Sequence, residues 1–363
     1  MRRAFYLVHL WTGLILGGLA VLAGLSGGVL VFRHEIERAQ YPALMNIGAG
    51  GTLRLQDSLV AVQRAFPGAK PNHLTLPDKP GHSLDVSFKK SGLHAYVDPY
   101  RATVLGSLHQ EQTPTGFLFA LHTKLLSGED GKTVVGIGGL GLLALSLSGL
   151  VVWWPRKRQK LKEHLTIRSG VGPGRKTYDA HRALGFYACG LLLLIATTGT
   201  ALVFPDSAKL ILSRVSGEST HEGKPKAKLK GPLLSLDELV ERANQALPGG
   251  LVRRVSLPEK RSDAVVIRKR LPGESHPNGM NYLYLEPSTG EILRVDRDPD
   301  TGIAQRGFNL RYPLHIGAWG GLASKVLHSV AGLTPLVLYV TGLMIWGRKK
   351  LNARRRIRVH NPA

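Results

Sequence analysis

Residues 5–32, FYLVHLWTGLILGGLAVLAGLSGGVLVF, form an uncharged apolar stretch with a single histidine, His9, near its start. Residues 178–204, YDAHRALGFYACGLLLLIATTGTALVF, repeat this pattern, with His181 in the place of His9 and Gly199 in the place of Gly27. A helix needs about 20 apolar residues to cross roughly 30 Å of hydrocarbon. The sequence therefore predicts two membrane-spanning helices that are related by an internal repeat.

Two further apolar stretches of similar length divide the rest of the chain into alternating spans and polar segments. The predicted order is a first span at 4–33, an external module at 34–132, a second span at 133–154, a basic linker at 155–177, a third span at 178–204, a second external module at 205–325, a fourth span at 326–346 and a basic tail at 347–363. The pattern predicts a duplicated unit of span, module and span. Both halves enter from the same side, which predicts a parallel repeat about an axis along the membrane normal.

The basic residues are concentrated beside the predicted spans, although the formal net charge of +23 is high enough for a nucleic-acid-binding protein. The dense clusters are Arg2-Arg3, Arg156 to Arg158, Arg175-Lys176, Arg348 to Lys350 and Arg354 to Arg356. Lysine and arginine accumulate in cytoplasmic loops of membrane proteins. This distribution predicts that both termini are cytoplasmic and that both modules lie outside, and it argues against nucleic acid as a partner.

Each polar module contains one helical and two strand patterns. The first module predicts a helix at Leu55–Ala65 and a hairpin of Leu84–Phe88 with Leu93–Val97, and the second predicts a helix at 236–247 and strands at 264–267 and 282–285. The predicted fold is therefore a four-helix transmembrane bundle that carries two external α+β modules.

Four of the 14 histidines form repeat-related pairs at opposite ends of the predicted spans. His9 and His181 lie near the cytoplasmic ends of spans one and three, and His122 and His315 shortly precede spans two and four. Two histidines that meet across a pseudo-two-fold axis are a natural axial pair for haem iron. Neither pair has a nearby cysteine or carboxylate cluster that would complete a zinc site. The two pairs predict two haems, one at each membrane face. These are expected to be b-type, bound without covalent links, because no Cys-x-x-Cys-His motif is present.

The second haem has alternative ligands at His34 and His328, either of which would replace a ligand or line the haem edge. His34 is 25 residues after His9, roughly 38 Å along a helix, so the two residues are too far apart to bind the same haem. Glycines in spans one and three leave room for a macrocycle or for close helix packing. Arg268, Lys269 and Arg270 either attract an anionic chelate or form a solvated strand edge.

Several stretches together resemble the PepSY-associated transmembrane family: residues 7–38, the sequence LHTKLLSGEDG at 121–131, LSLSGLVVWWPRKR at 145–158 and VAGLTPLVLYVTGLMIWGRKK at 330–350. Within this family, the resemblance suggests the FoxB/PiuB-type ferric-siderophore reductases of the bacterial inner membrane. It implies two periplasmic PepSY-like modules and haem-mediated electron transfer from a cytoplasmic or membrane donor to siderophore-bound Fe(III), which releases iron as Fe(II). The family's histidines correspond to His9, His181, His122 and His315 here, whereas His328 replaces an expected aromatic or apolar residue.

Two other functions are compatible with these spans. A PepSY-type binding or sensing protein would recognise a periplasmic peptide or cell-wall ligand without a cofactor. A transporter would pass a siderophore between the halves, but the spans contain almost no central charge to line a polar path. The hydrolytic motifs GxSxG, HExxH and the P-loop are absent, so we expect no catalytic group beyond the haems.

Overall fold

The structure, a computed structural model, describes residues 1–48, 50–89, 91–155, 161–218 and 223–360, with side chains described as far as residue 353. The chain divides into two compact units. The first consists of residues 1–31, 118–205 and 314–363, and the second consists of residues 32–117 and 206–313. Each unit therefore contains chain from both halves of the sequence.

Four long helices make up most of the first unit. They are α1 (Arg2–Leu30), α6 (Gly128–Trp153), α8 (Pro173–Val203) and α12 (Gly321–His360), and each is long and apolar enough to cross a membrane. α1 and α8 each pack against both α6 and α12, so the four helices form a ring in which α1 and α8 are diagonal. Large apolar side chains such as Ile15, Leu147 and Tyr187 remain exposed on these helices, as expected for surfaces that face lipid.

Eight shorter helices complete the helical elements named in this article. Between the first two long helices lie α2 (Arg33–Gln40), α3 (Pro42–Met45), α4 (Leu55–Ala65) and α5 (Pro114–Lys124). Later in the chain lie α7 (Leu161–Leu165), α9 (Pro205–Ser216), α10 (Leu236–Ala246) and α11 (Ile303–His315). α5 and α11 matter for function because they carry His122 and His315.

The second unit is built on one antiparallel sheet of eight strands. The strands are β1 (Pro71–Thr75), β2 (Leu84–Phe88), β3 (Leu93–Asp98), β4 (Thr103–His109), β5 (Leu251–Ser256), β6 (Val265–Arg270), β7 (Asn281–Leu285) and β8 (Ile292–Asp296). Their spatial order is β4-β3-β2-β1-β5-β6-β7-β8. β1 and β5 pair at the centre, with Leu74 opposite Val255. The two predicted modules therefore share one sheet, and this pairing removes two strand edges that separate modules would expose.

One face of the sheet is covered by α4 and α10, and this layer is the core of the second unit. Alternate strand residues such as Leu74, Val86, Val255 and Ile267 are completely buried there. Because successive strand residues point to opposite faces, their neighbours form a more polar face on the other side of the sheet, where Val266 and Tyr284 belong to a small apolar cluster. That polar face carries Arg254 and Arg268.

The observed elements agree with the predicted patterns where the hydrophobic period was clear. α4 has the predicted bounds, β2 and β3 form the predicted hairpin, and α10, β6 and β7 lie within a few residues of their predicted positions. All four long helices extend past the predicted spans at one or both ends, because polar residues continue the helical hydrogen bonding. The basic cluster at 156–160 and the side chains of 354–356, which entered the topology prediction, lie outside the described part of the chain.

Candidate functional site

His9 and His181 lie close together inside one end of the bundle. His9 projects from α1 and His181 from α8, and their ring centroids are 6.2 Å apart with an interplanar angle of 86°. His9 Nδ1 donates a hydrogen bond to the Leu145 carbonyl of α6 at 3.1 Å. His181 Nδ1 lies 2.9 Å from the Thr341 hydroxyl of α12. The diagonal helices thus supply the rings, and the other two helices orient them.

His122 and His315 form a second pair with the same design. Their ring centroids are 6.1 Å apart and their planes are tilted by 44°. His122 Nδ1 donates to the Ala23 carbonyl of α1 at 3.0 Å, and His315 Nδ1 donates to the Ile195 carbonyl of α8 at 3.1 Å. Ala23 is 14 residues after His9 along α1, so the two pairs occupy different levels of the bundle.

Each of the four rings rests on a hydroxyl residue followed by glycine, and each of these four dipeptides comes from a different long helix. The dipeptides are Ser26-Gly27, Ser148-Gly149, Thr198-Gly199 and Thr341-Gly342. The hydroxyl oxygens lie between 2.9 and 3.3 Å from Nδ1 of His122, His9, His315 and His181, respectively. This Ser/Thr-Gly signal was present in the sequence, but sequence reasoning did not connect it to the histidines.

The glycine of each dipeptide provides the space for its ring. A Cβ atom at Gly27 would lie 2.8 Å from His122 Cε1, and one at Gly199 would lie 2.8 Å from His315 Cε1. The corresponding distances are 3.1 Å from Gly149 to His9 and 3.4 Å from Gly342 to His181. Other glycines of α1 serve helix packing instead, since a Cβ at Gly24 would meet the Gly332 carbonyl at 2.5 Å. The helix-packing interpretation therefore applies to residues such as Gly24, whereas Gly27 and Gly199 make room for histidine rings, a role that the sequence did not predict.

The two alternative histidines are placed differently from the four paired ones. Both ring nitrogens of buried His328 face backbone carbonyls, with Nδ1 at 2.9 Å from Ser324 and Nε2 at 2.9 Å from Leu314. His328 therefore fixes the peptide that precedes His315, and neither of its nitrogens points to the ring pair. The His34 side chain is 76% exposed on α2, and its Nδ1 is 3.8 Å from Glu37.

The donor set at each pair is compatible with an axial haem site. An imidazole that binds metal through Nε2 normally donates its Nδ1–H to a carbonyl or similar acceptor, and all four rings engage Nδ1 in this way. Two imidazoles on opposite sides of one metal ion have ring centres about 6 Å apart, because each metal–nitrogen bond is about 2 Å and the nitrogen lies about 1 Å from its ring centre. Among the described residues, neither pair is joined by a third histidine, cysteine or carboxylate in a metal-binding group. The residues present would therefore suit haem, because its porphyrin would supply the remaining ligands to the iron.

The basic triplet of the second module does not lie on a strand edge, so that part of the sequence interpretation is wrong. β6 is an interior strand between β5 and β7. Lys269 is only 1% exposed, and its ammonium donates to Asn244 Oδ1 and to the Leu247 carbonyl at the end of α10. Alternation within the strand turns Arg268 toward the opposite, polar face.

These features define the chain as a multi-pass membrane protein, with four candidate spans and an antiparallel sheet unit. The model of the PepSY-associated TM region matches residues 6–349, nearly the whole chain. The chain therefore belongs to the PepSY-associated transmembrane family, as the sequence motifs indicated.

The chain is also similar to a protein of Pseudomonas aeruginosa, "Uncharacterized protein PA4219". The two are 26% identical over 262 residues, which cover 65% of this chain and 64% of that protein. The match thus spans less than two thirds of the relative's length, and the relative's name states no activity.

Proposed function

We propose that this protein is a haem-containing reductase of the bacterial inner membrane that transfers electrons across the bilayer to siderophore-bound Fe(III) in the periplasm. Its product is Fe(II), which an oxygen-donor chelator holds less strongly because the charge on the metal is lower. One electron, from a reduced cytoplasmic or membrane donor, is consumed for each iron reduced. The single observation that carries the proposal is the presence of two histidine pairs with ring separations of 6.2 and 6.1 Å.

The proposal assigns one b-type haem to His9 with His181 and a second to His122 with His315. A haem held by each pair would supply one-electron redox chemistry. The chain's own residues hold the Nδ1 protons toward carbonyl and hydroxyl oxygens, which leaves each Nε2 for the iron. Carbonyl and hydroxyl acceptors at Nδ1 also make the imidazoles more basic, and this would favour the ferric state of an iron held there.

The spacing of the two pairs supports transfer across the membrane. His9 and Gly27, which seats His122, are 18 residues apart in the continuous helix α1. At 1.5 Å per residue, this separation is about 27 Å, close to the thickness of the hydrocarbon core. Residues 10–27 of α1, which lie between these two levels, contain no Asp, Glu, Lys or Arg.

We further infer that the chain is a duplicated unit inserted with both termini in the cytoplasm. The symmetric strand order and the matching dipeptides in the four long helices support duplication. The orientation rests on the positive-inside distribution of lysine and arginine in the sequence. In this orientation His9 and His181 are the cytoplasmic pair, and the sheet unit is periplasmic.

The proposal is tested by counting haem on protein purified in detergent from haem-replete cells. We expect two haems per chain, a Soret band that sharpens and shifts on reduction, and loss of one haem in His9→Ala or His315→Ala. His34→Ala is the matched control because His34 is exposed and belongs to neither ring pair, so it should retain both haems.

Two results would contradict the proposal. A purified chain without haem would favour the alternative of a PepSY-type binding or sensing protein. Full haem content in each of the four single alanine variants would exclude the pairs as axial ligands. Reductase activity is then measured with an artificial electron donor and a ferric siderophore, with formation of Fe(II) followed by a chromogenic ferrous chelator.

A further inference from the structure

A group of arginines lies on the polar face of the sheet, opposite the hydrophobic core. Val255 and Ile267 point into the core and are completely buried, so the adjacent Arg254 of β5 and Arg268 of β6 point to the other face. Arg311 of α11 stacks on the Phe308 ring, with its guanidinium carbon 3.4 Å from the ring centroid, and burial together with the positive charge of nearby Arg268 lowers its pKa. All of these residues belong to the second unit.

Arg268 is held in one orientation by several contacts. Its Nε donates to the Gly279 carbonyl at 2.9 Å, and its guanidinium lies over the Tyr282 ring at 5.0 Å. Its Nη2 is 3.0 Å from His276 Nε2. His276 is 6% exposed and packs on the Tyr312 ring with the centroids 5.3 Å apart. The arginine is therefore preorganised, so binding of a ligand would cost little side-chain entropy.

The cluster contains more positive charge than the nearby carboxylates balance. None of the ion pairs among the described residues involves Arg254, Arg268 or Arg311. Glu274 interacts electrostatically with Arg268, but its carboxylate oxygens accept hydrogen bonds from the Asn281 side chain and from the amides of Leu271 and Met280. The Nε atoms of Arg254 and Arg311 are buried and have no hydrogen-bond partner.

The electrostatics of His276 show the same excess of positive charge. Burial and then the positive charges of Arg268, Arg311, Arg270 and Arg254 lower the pKa of His276 to about 3. His276 is therefore neutral at physiological pH and adds no further charge to the cluster. An uncompensated cationic group of this kind is unfavourable unless an anion binds to it.

The fold itself does not require these arginines. In the first half of the sheet, Leu74 and Val86 are paired as Val255 and Ile267 are in the second half. The positions that correspond to Arg254 and Arg268 are therefore His73 and Ser87. Leu118 precedes His122 by four residues, as Arg311 precedes His315. The cationic cluster is thus specific to the second half, which is the pattern expected of a ligand site on a repeated scaffold.

We propose that Arg254, Arg268 and Arg311 form the binding site for a negatively charged ferric chelate whose free oxygens are carboxylates. This inference rests on the proposed function and names the substrate class. The guanidinium fork binds a carboxylate through two parallel hydrogen bonds, and three arginines compensate a polyanion. A neutral trishydroxamate chelate would gain nothing from these charges, so the site discriminates between the two classes by charge.

The test uses gallium(III) citrate, a redox-inert analogue of an anionic ferric chelate, titrated calorimetrically into the full-length protein in detergent. We expect saturable binding that weakens with rising salt. The Arg254→Gln/Arg268→Gln double variant should weaken binding at least tenfold, and Arg268→Lys, which keeps the charge but loses the fork, should weaken it less. Arg261→Gln is the matched control, because Arg261 is an exposed arginine between β5 and β6 and its loss should leave binding unchanged.

Haem is counted on the same samples, so that failures of the two proposals are distinguishable. Gallium is not reduced, and binding is therefore measured independently of electron transfer. If gallium citrate binding depends on the arginines but the chain contains no haem, the chelate site is supported and the reductase function is contradicted. Equal binding by the wild type and the double variant would overturn the site. The site would also be overturned if the double variant lost a haem but still bound gallium citrate. That result would show that the arginines bind the haem carboxylates instead.

Discussion

At the scale of single residues, the four histidines owe their positions to small neighbours. Each ring lies against a glycine, and the preceding serine or threonine places a hydroxyl within 3.3 Å of Nδ1. These hydroxyls also bond to carbonyls one turn earlier in their own helices, as Ser148 does to Ala144 and Thr198 to Leu194. The hydroxyl proton is thereby used within the helix, so the oxygen is left to accept from the imidazole.

Replacing the glycine under one ring should disturb one site only. In Gly199→Ala, the new Cβ would lie 2.8 Å from His315 Cε1, closer than real Cβ contacts allow, so the ring must move. We expect loss or weakened retention of the haem assigned to His122 and His315, with the other haem kept. The measurement is haem content together with the reduced-minus-oxidised spectrum.

Gly190→Ala is the control for this substitution, because it lies in the same helix and a Cβ there has no neighbour within 4 Å. It should behave as the wild type. If Gly199→Ala retains both haems with unchanged spectra, the contact between the ring and the glycine does not position the ligand.

The residue pairs were predictable from the sequence, but the environments of single side chains were not. Repeat equivalence alone paired His9 with His181 and His122 with His315, because equivalent residues of two similar halves tend to approach a common axis. The burial of Lys269 had no such signal, since a lysine in a basic triplet normally indicates a solvated surface. Only the tertiary position of α10, whose last carbonyls it caps, explains this lysine.

At the scale of secondary-structure elements, α4 and α10 cap each other across the two halves of the chain. Asp237 of α10 accepts hydrogen bonds from the amides of Leu55 and Gln56, at 2.9 and 3.0 Å. Gln56 of α4 accepts one from the amide of Leu236 at 3.1 Å. First-turn amides have no partner within their own helix, so these contacts stabilise both helix starts.

Asp237→Ala should therefore destabilise α4, although the substitution is in α10. Loss of an N-terminal cap typically costs about 1 kcal/mol, up to about 2 kcal/mol. We expect a lower melting temperature and faster hydrogen exchange at the amides of Leu55 and Gln56. Glu241→Ala, an exposed change in the same helix, should alter neither. Unchanged exchange at Leu55 and Gln56 in Asp237→Ala would show that the reciprocal caps do not stabilise the helices.

Helices and strands with a strong hydrophobic period were predictable from the sequence. Strands that depend on hydrogen bonding to neighbouring strands were not. Leu55–Ala65 has a regular apolar face, whereas the sequences of β1, β4, β5 and β8 lack clear alternation of apolar and polar residues. These strands exist because neighbouring strands supply hydrogen-bond partners, and a single sequence does not show that partnership. The union of the two modules through β1 and β5 was missed for the same reason.

At the scale of the whole molecule, each half of the chain supplies one ring to each histidine pair. The first half contributes His9 and His122, and the helices that orient them, α6 and α1, come from the same half. The second half contributes His181 and His315 with α12 and α8. Each half thus carries two oriented half-sites, and the pairs form only when the halves associate.

Two separately made halves should accordingly reconstitute the protein. We expect residues 1–158 and 159–363, expressed together, to copurify through a tag on one of them and to carry haem. The reasons are the continuous sheet at β1 and β5 and the packing of α1 against both α6 and α12. Either half expressed alone should carry no bis-histidine haem, which spectroscopy would show. Bis-histidine haem in one isolated half would contradict the shared sites.

The division of rings between halves also sets an order of events during synthesis on the ribosome. His181 is made 134 residues before His315, since 315 minus 181 is 134, so the pair with His9 is complete long before the pair with His122. A nascent chain that stalls in the second module would therefore hold one finished histidine pair and one solitary imidazole.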